Sequence, residues 1–247
     1  MVVVAALVGA GLALHLAFAT FPAGPGRLLL SAGVMLPSLA IALLFAARLG
    51  LHRAGFRSRI DPTGRWSLAL LVLPLLAAGL LLLARSSLGA GPFLLTGGFA
   101  LLIGLHEEIW FRGVILTALA TRGPTFALVA SAMLFGVAHS ANLLTTSAPP
   151  VAVAFQVATA CLVGVVFGAV RLRTAMLWPT IVAHALIDWA ALLAIYPSTS
   201  PQVPSVPTVV GGLLIYGTLA GIGILLVRNL SPNPGWGSTA DGGEGGS

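Results

Sequence analysis

The sequence predicts an all-α fold, a polytopic membrane protein with about eight transmembrane helices. Three observations carry this expectation. Hydrophobic residues make up 58% of the chain and charged residues only 7%, with a mean hydropathy of +1.04, whereas a soluble domain has about 25% charged residues. Apolar runs recur at close to the roughly 20 residues needed to cross a bilayer. The breaks between them are short and built from Pro, Gly, Ser, Thr and Arg.

The first run, 2–20, lacks the positively charged start of a signal peptide and is read as a span, although "AFA" at 17–19 resembles a cleavage site. Further spans are expected at 28–49, 66–84, 93–121, 125–143, 151–170, 174–195 and 208–227. They are separated by "PAGPG", "HRAGFRSRIDPTG", "SSLGAGP", "RGP", "TTSAPP", "RLR" and "YPSTSPQVPSVP", all turn-forming compositions. No repeat of fixed period is present. The Gly/Ser/Pro-rich tail holds Asp241 and Glu244 and is expected to be disordered. The expected organisation is N-terminal helices with a basic loop over 1–92, a core over 93–195, a loop and last helix over 196–229, and the tail over 230–247.

The formal charge of +6 comes wholly from arginine, since the chain has no lysine. Short basic loops at span ends set membrane orientation, so the charge does not call for nucleic acid. Arg48, Arg53, Arg57, Arg59, Arg65, Arg122, Arg171, Arg173 and Arg228 fall on one side of an eight-span topology. Only Arg27 and Arg85 fall on the other. The positive-inside rule then places both termini in the cytoplasm. Cys161 is the sole cysteine, which excludes an intramolecular disulfide.

Within the spans, polar chemistry is confined to a few positions. "LLIGLHEEIWFRGVILTALA" at 101–120 carries Glu107, Glu108 and Arg112, although each charge at a bilayer centre costs roughly 2.5–3.5 kcal/mol on insertion scales. Asp188, His139 and His184 are the other ionisable candidates. Glu108 and Arg112, Phe135 and His139, and His184 and Asp188 are each four residues apart, so each pair shares a helix face. Counting about 1.5 Å per residue from the expected cytoplasmic ends, Glu107 lies roughly 22 Å up, His139 roughly 24 Å, Asp188 roughly 21 Å and His184 roughly 15 Å. One shared site in the outer half of the bilayer is permitted.

Amide hydrolysis needs a base for water and donors aimed at developing negative charge. A carboxylate and imidazoles meeting in a low-dielectric pocket supply both, and these residues alone equally allow other hydrolyses. Simpler roles stand beside this one. Glu108 and Arg112 form a buried ion pair that orders the helix, which leaves Glu107 as the surplus carboxylate. Either histidine can be a helix–helix hydrogen bonder, and Asp188 a structural partner of His184. Glu107, His139 and His184 are also a possible zinc set, though neither histidine sits in an HExxH helix. His106 points off the glutamate face; His15 and His52 have no motif context and read as a packing and a loop residue. Phe135 and Trp110 read as core or pocket wall, Trp178 and Trp189 as interface or packing residues. A transporter or channel would use such a cluster as an ion path, but no inverted repeat or paired broken helices favour one.

"EEIWFR", "FGVAH" and "LWPTIVAHALID" match the patterns EExxxR, FxxxH and HxxxN/D in order and spacing. Together they resemble the CPBP family of CAAX proteases and bacteriocin-processing enzymes, also called Abi, over roughly residues 95–195. That family includes the type II CAAX prenyl endopeptidases, glutamate-dependent intramembrane proteases. The resemblance implies a four-helix catalytic core and metal-free hydrolysis of a peptide bond in a membrane-proximal peptide or protein. It implies that Glu107 activates a water, that His139 helps to hold it, and that His184 with position 188 stabilises the oxyanion. Glu108 and Arg112 would fix the helix, with Phe135 supporting. The prenyl endopeptidases carry Asn at the last position, where this chain has Asp188; an ionised Asp cannot donate to an oxyanion, so it must be protonated or orient His184. The alternative is a non-catalytic relative acting as an immunity or binding protein. The expected setting is a bacterial or archaeal-type plasma membrane, with lipid and a peptide substrate as partners. A site in the outer half favours a leader peptide, a bacteriocin-like precursor or a C-terminal sorting signal over cytosolic CAAX proteins.

Overall fold

The computed structural model describes residues 25–56, 62, 64–145, 148–196 and 203–230, and among them every regular element is helical. The expected first span and the tail beyond 230 lie outside the described residues. Helix α1 is Pro25–Leu49, and a 3-10 turn, Arg65–Leu71, leads into α2, Val72–Ala84. Then come α3 (Ala90–Glu108), α4 (Leu116–Leu119), α5 (Pro124–Ala138) and the short α6 (Asn142–Thr145). The last three are α7 (Pro150–Thr174), α8 (Trp178–Ile195) and α9 (Val206–Val227).

Six helical stretches are long and apolar enough to cross a membrane: Leu28–Leu49, Arg65–Ala84, Pro124–Ala141, Pro150–Thr174, Trp178–Ile195 and Val206–Val227. They correspond to six of the eight expected spans. The expected span over 93–121 is not one uninterrupted α-helix. It breaks after Glu108 into a π-helical segment, Ile109–Ile115, then α4 and a 3-10 turn, Ala120–Arg122. Its charges make it the least apolar of the expected spans, and its backbone changes pitch where they sit.

The expected loop "RLR" is also corrected. Helix α7 runs through it to Thr174 and stops at Ala175, which takes a left-handed conformation with φ 58°. Arg171 is not a solvent-facing marker of orientation: it is 1% exposed, and its Nη2 donates to the Arg53 carbonyl at 2.6 Å. Gly55 makes this docking possible. Its φ is +99°, and a Cβ there would lie 2.5 Å from Arg171 Nε. The amide of Leu177 donates to the Gly55 carbonyl at 3.0 Å, so the loop after α1 seals the start of α8. Thr117 also reaches the Arg53 carbonyl, and Gly64 abuts the Arg173 backbone, which gathers several arginine-bearing segments at one end of the bundle. Arg85 instead donates to the Ala194 carbonyl at 2.9 Å, at the far end of α8.

Small residues set the helix pairing, as they do where lipid supplies no hydrophobic drive and close packing must. Helices α3 and α8 form the most extensive pair. A Cβ on Gly104 would lie 3.0 Å from the Ile181 carbonyl oxygen and 3.1 Å from the Ala185 nitrogen, so only glycine permits this approach. Helices α5 and α7 meet at Gly164 over Ala132, and α7 and α9 at Gly223 over Ala169. Outward faces carry exposed Leu80, Leu83, Leu94 and Leu214, while Glu108, Arg112 and His184 are buried. This inside-out polarity is what a bilayer requires.

Candidate active site

The last turn of α3 delivers both glutamates, and successive residues on a helix project about 100° apart. Glu108 turns fully inward, 0% exposed, and its Oε1 accepts from Arg112 Nη1 at 2.8 Å. Arg112 itself is 1% exposed, with its guanidinium carbon 4.2 Å from the Phe135 ring centre and 5.5 Å from that of Phe167. Two aromatic faces thus share its charge with Glu108. The pair spans the junction where the α-helix becomes π-helical. At the end of that segment the Leu116 amide bonds the Phe111 carbonyl five residues back, and Ser131 Oγ donates to the same carbonyl at 2.8 Å. Pitch changes of this kind recur at functional sites. Here it ties the glutamate helix to α5, which carries Phe135 and His139.

His184 is the hub. Its Nδ1 lies 2.9 Å from Glu108 Oε1, the oxygen already holding Arg112. A carboxylate paired with arginine only accepts, so Nδ1 carries the proton and the ring's orientation is fixed. Nε2 then faces two more carboxylates, Glu107 Oε2 at 3.5 Å and Asp188 Oδ2 at 3.4 Å. Those separations are ion-pair contacts, longer than a good hydrogen bond. The rings of Phe135 and Phe167 pack against the imidazole at 5.8 and 5.6 Å. Glu107 is 22% exposed and Asp188 28%, so both reach the pocket while Glu108 does not. Glu107 Oε2 is buried and accepts no hydrogen bond from the chain.

His139 does not sit in mid-helix. It caps α5 and opens a 3-10 turn, with Nδ1 2.9 Å from the Phe135 carbonyl and its ring stacked edge-on to Phe135 at 4.8 Å. A carbonyl only accepts, so Nδ1 again donates and Nε2 of the neutral ring is left as an acceptor. His139, His184 and Asp188 line a cavity of about 180 Å³, and Glu107 lies in electrostatic reach of all three. The three short patterns therefore meet. Among the described residues no group of three His, Cys, Asp or Glu side chains is arranged to hold a metal ion, and Glu108 already occupies one nitrogen of His184.

Other candidates fall elsewhere. His106 turns toward α1, its Nε2 2.9 Å from Ser38 Oγ, and Trp110 Nε1 donates to the same hydroxyl at 3.1 Å. Trp178 meets Phe56 edge-on, and Trp189 donates to the Phe93 carbonyl at 3.0 Å. His52 lies in an exposed turn and His15 outside the described residues. The Glu108–His184 link was not foreseen. Spacing within a helix reveals Glu108 with Arg112, but nothing in one sequence reports a contact between helices 76 residues apart.

The fold is that of an integral membrane protein whose helices bury a carboxylate–imidazole cluster. The family model for "Type II CAAX prenyl endopeptidase Rce1-like" matches residues 65–190, just over half of the sequence, and the chain belongs to that family. The match starts at the 3-10 turn before α2, earlier than the motifs alone mark. No curated protein and no solved structure matches the chain. Membership points to an intramembrane protease of the CAAX type, a hydrolase.

Proposed function

We propose that the chain is a glutamic-type intramembrane endopeptidase in which Glu107 is the general base. The observation that carries this is the unbonded, buried Oε2 of Glu107 beside an imidazole whose other nitrogen is locked by Glu108. Glu107 takes a proton from water as the oxygen attacks the peptide carbonyl carbon. His139, through its acceptor nitrogen, helps to hold that water. The imidazolium form of His184 donates Nδ1–H to Glu108 and presents Nε2–H to the developing oxyanion. Collapse of the tetrahedral intermediate expels the amine, which leaves with the proton that Glu107 had taken. Glu108 and Arg112 touch no reacting atom and act by fixing His184. The chemistry is metal-free; purified protein in liposomes should keep its activity in a chelator, and loss restored by zinc would overturn this point.

Asp188 shares the oxyanion role as a protonated carboxyl. Asp188→Asn keeps a donor at the same place and should retain cleavage within roughly tenfold. Asp188→Ala should lose roughly 10²–10³-fold in kcat, the usual cost of one oxyanion donor. Equal losses in Asn and Ala variants would instead assign Asp188 the role of an anion beside His184.

The arginine-rich end is proposed to face the cytoplasm, which sets the site in the outer half of the bilayer. A leader peptide, bacteriocin-like precursor or C-terminal sorting signal fits that placement better than a cytosolic prenylated substrate. Comparing the membrane proteome of a deletion strain with wild type tests it: uncleaved precursors of exported proteins are expected, and accumulation of unprocessed prenylated proteins alone would reverse the assignment.

A further inference from the structure

Across the cavity from His184 and Asp188 stands a second wall that the hydrolytic step does not use. Gln156 on α7 and Tyr216 on α9 line it. Asn142 Nδ2 donates to Gln156 Oε1 at 2.8 Å, which fixes that amide and leaves its two Nε2 protons for a ligand. The Tyr216 hydroxyl makes no hydrogen bond among the described residues. Thr159, in the same wall, is committed instead, with its hydroxyl donating back to the Phe155 carbonyl at 2.9 Å. Val163, Phe167 and Ile187 close the cavity with apolar surface.

Taken on the peptidase reading above, we infer that this wall is a specificity subsite holding one uncharged apolar residue next to the cleaved bond, with Gln156 and Tyr216 bonding its backbone. Size supports the class of side chain. The cavity of about 180 Å³ compares with an apolar cavity of roughly 150 Å³ that accepts benzene, so a Leu or Phe side chain fits. Polarity supports the backbone contacts. A peptide drawn into a bilayer must satisfy its carbonyl groups, and a primary amide and a phenol are both donors. Charge is excluded because the ionic groups of the cavity are engaged with one another, Asp188 with His184 at 3.4 Å. A Lys, Asp or Glu side chain entering it would be desolvated without a partner.

The test uses full-length protein in liposomes and a lipid-anchored, fluorescence-quenched peptide library with every residue type at each position. Wild type should prefer Leu, Met or Phe at one position flanking the cut and reject charged residues there. Val163→Phe should shift that preference toward Ala and Ser, and Ile187→Ala toward Phe and Trp, each by roughly tenfold in relative kcat/KM. Gln156→Ala should raise KM roughly fivefold with kcat nearly unchanged, as expected for one lost hydrogen bond formed equally in ground and transition states. If Val163→Phe fails to accumulate, the opposite shift in Ile187→Ala and the KM effect decide the matter. A wild type that cleaves with a flat profile, or a profile unmoved by both variants with KM intact in Gln156→Ala, overturns the subsite and leaves the peptidase standing. No cleavage of any library member overturns both.

Discussion

Glu107→Gln is expected to lower cleavage by roughly 10²–10⁴-fold, the contribution of a positioned general base, while the protein still inserts and accumulates at wild-type levels. The substitution is nearly isosteric and replaces a carboxylate that makes no hydrogen bond through its buried oxygen. Little packing is therefore lost. What disappears is the ability to take a proton from water. The same variant separates the peptidase from the two other readings of the cluster. A non-catalytic binding or immunity protein needs only the shape of the side chain and should keep its biological effect with Gln. An ion path would lose flux in proteoliposomes but would show no cleavage in wild type either. Measuring product release and flux from the same liposomes distinguishes all three, and unimpaired cleavage by Glu107→Gln would remove Glu107 from the role of base.

Much of this architecture was legible because membrane folding leaves few options. Apolar runs near the thickness of a bilayer have to be helices, which is why six of the expected spans appear close to their expected limits. Helix-face arithmetic likewise foresaw the Glu108–Arg112 pair. What stayed hidden depends on tertiary contacts. The π-helical segment at Ile109–Ile115 has no local signature; it is held by Ser131 from another helix, which bonds the Phe111 carbonyl. Arg171 looks like any loop arginine until Gly55 is seen to give it room. The role of Glu108 at His184, and the pairing of Asn142 with Gln156, are likewise contacts between helices. Periodicity reports which face a residue occupies, not what meets it there.

Glu108→Leu should be the most damaging single change to stability, and it separates structure from chemistry in this site. Glu108 Oε1 serves two partners at once, Arg112 at 2.8 Å and His184 at 2.9 Å. Removing it strands a guanidinium that is 1% exposed between Phe135 and Phe167. Breaking a buried pair from one side costs roughly 3–5 kcal/mol, because the remaining charge keeps its desolvation penalty. Replacing both partners with apolar groups of similar volume is often neutral, and methionine packs well against aromatic rings. Glu108→Leu combined with Arg112→Met should therefore recover most of the thermal stability lost by Glu108→Leu alone, read as the unfolding midpoint in detergent. Cleavage should not recover with it, because His184 Nδ1 would still lack the acceptor that fixes its ring. A double variant that regains both stability and cleavage would mean that Glu108 matters only as the partner of Arg112. Recovery of stability alone assigns it a second task, holding the imidazole that faces Glu107 and Asp188.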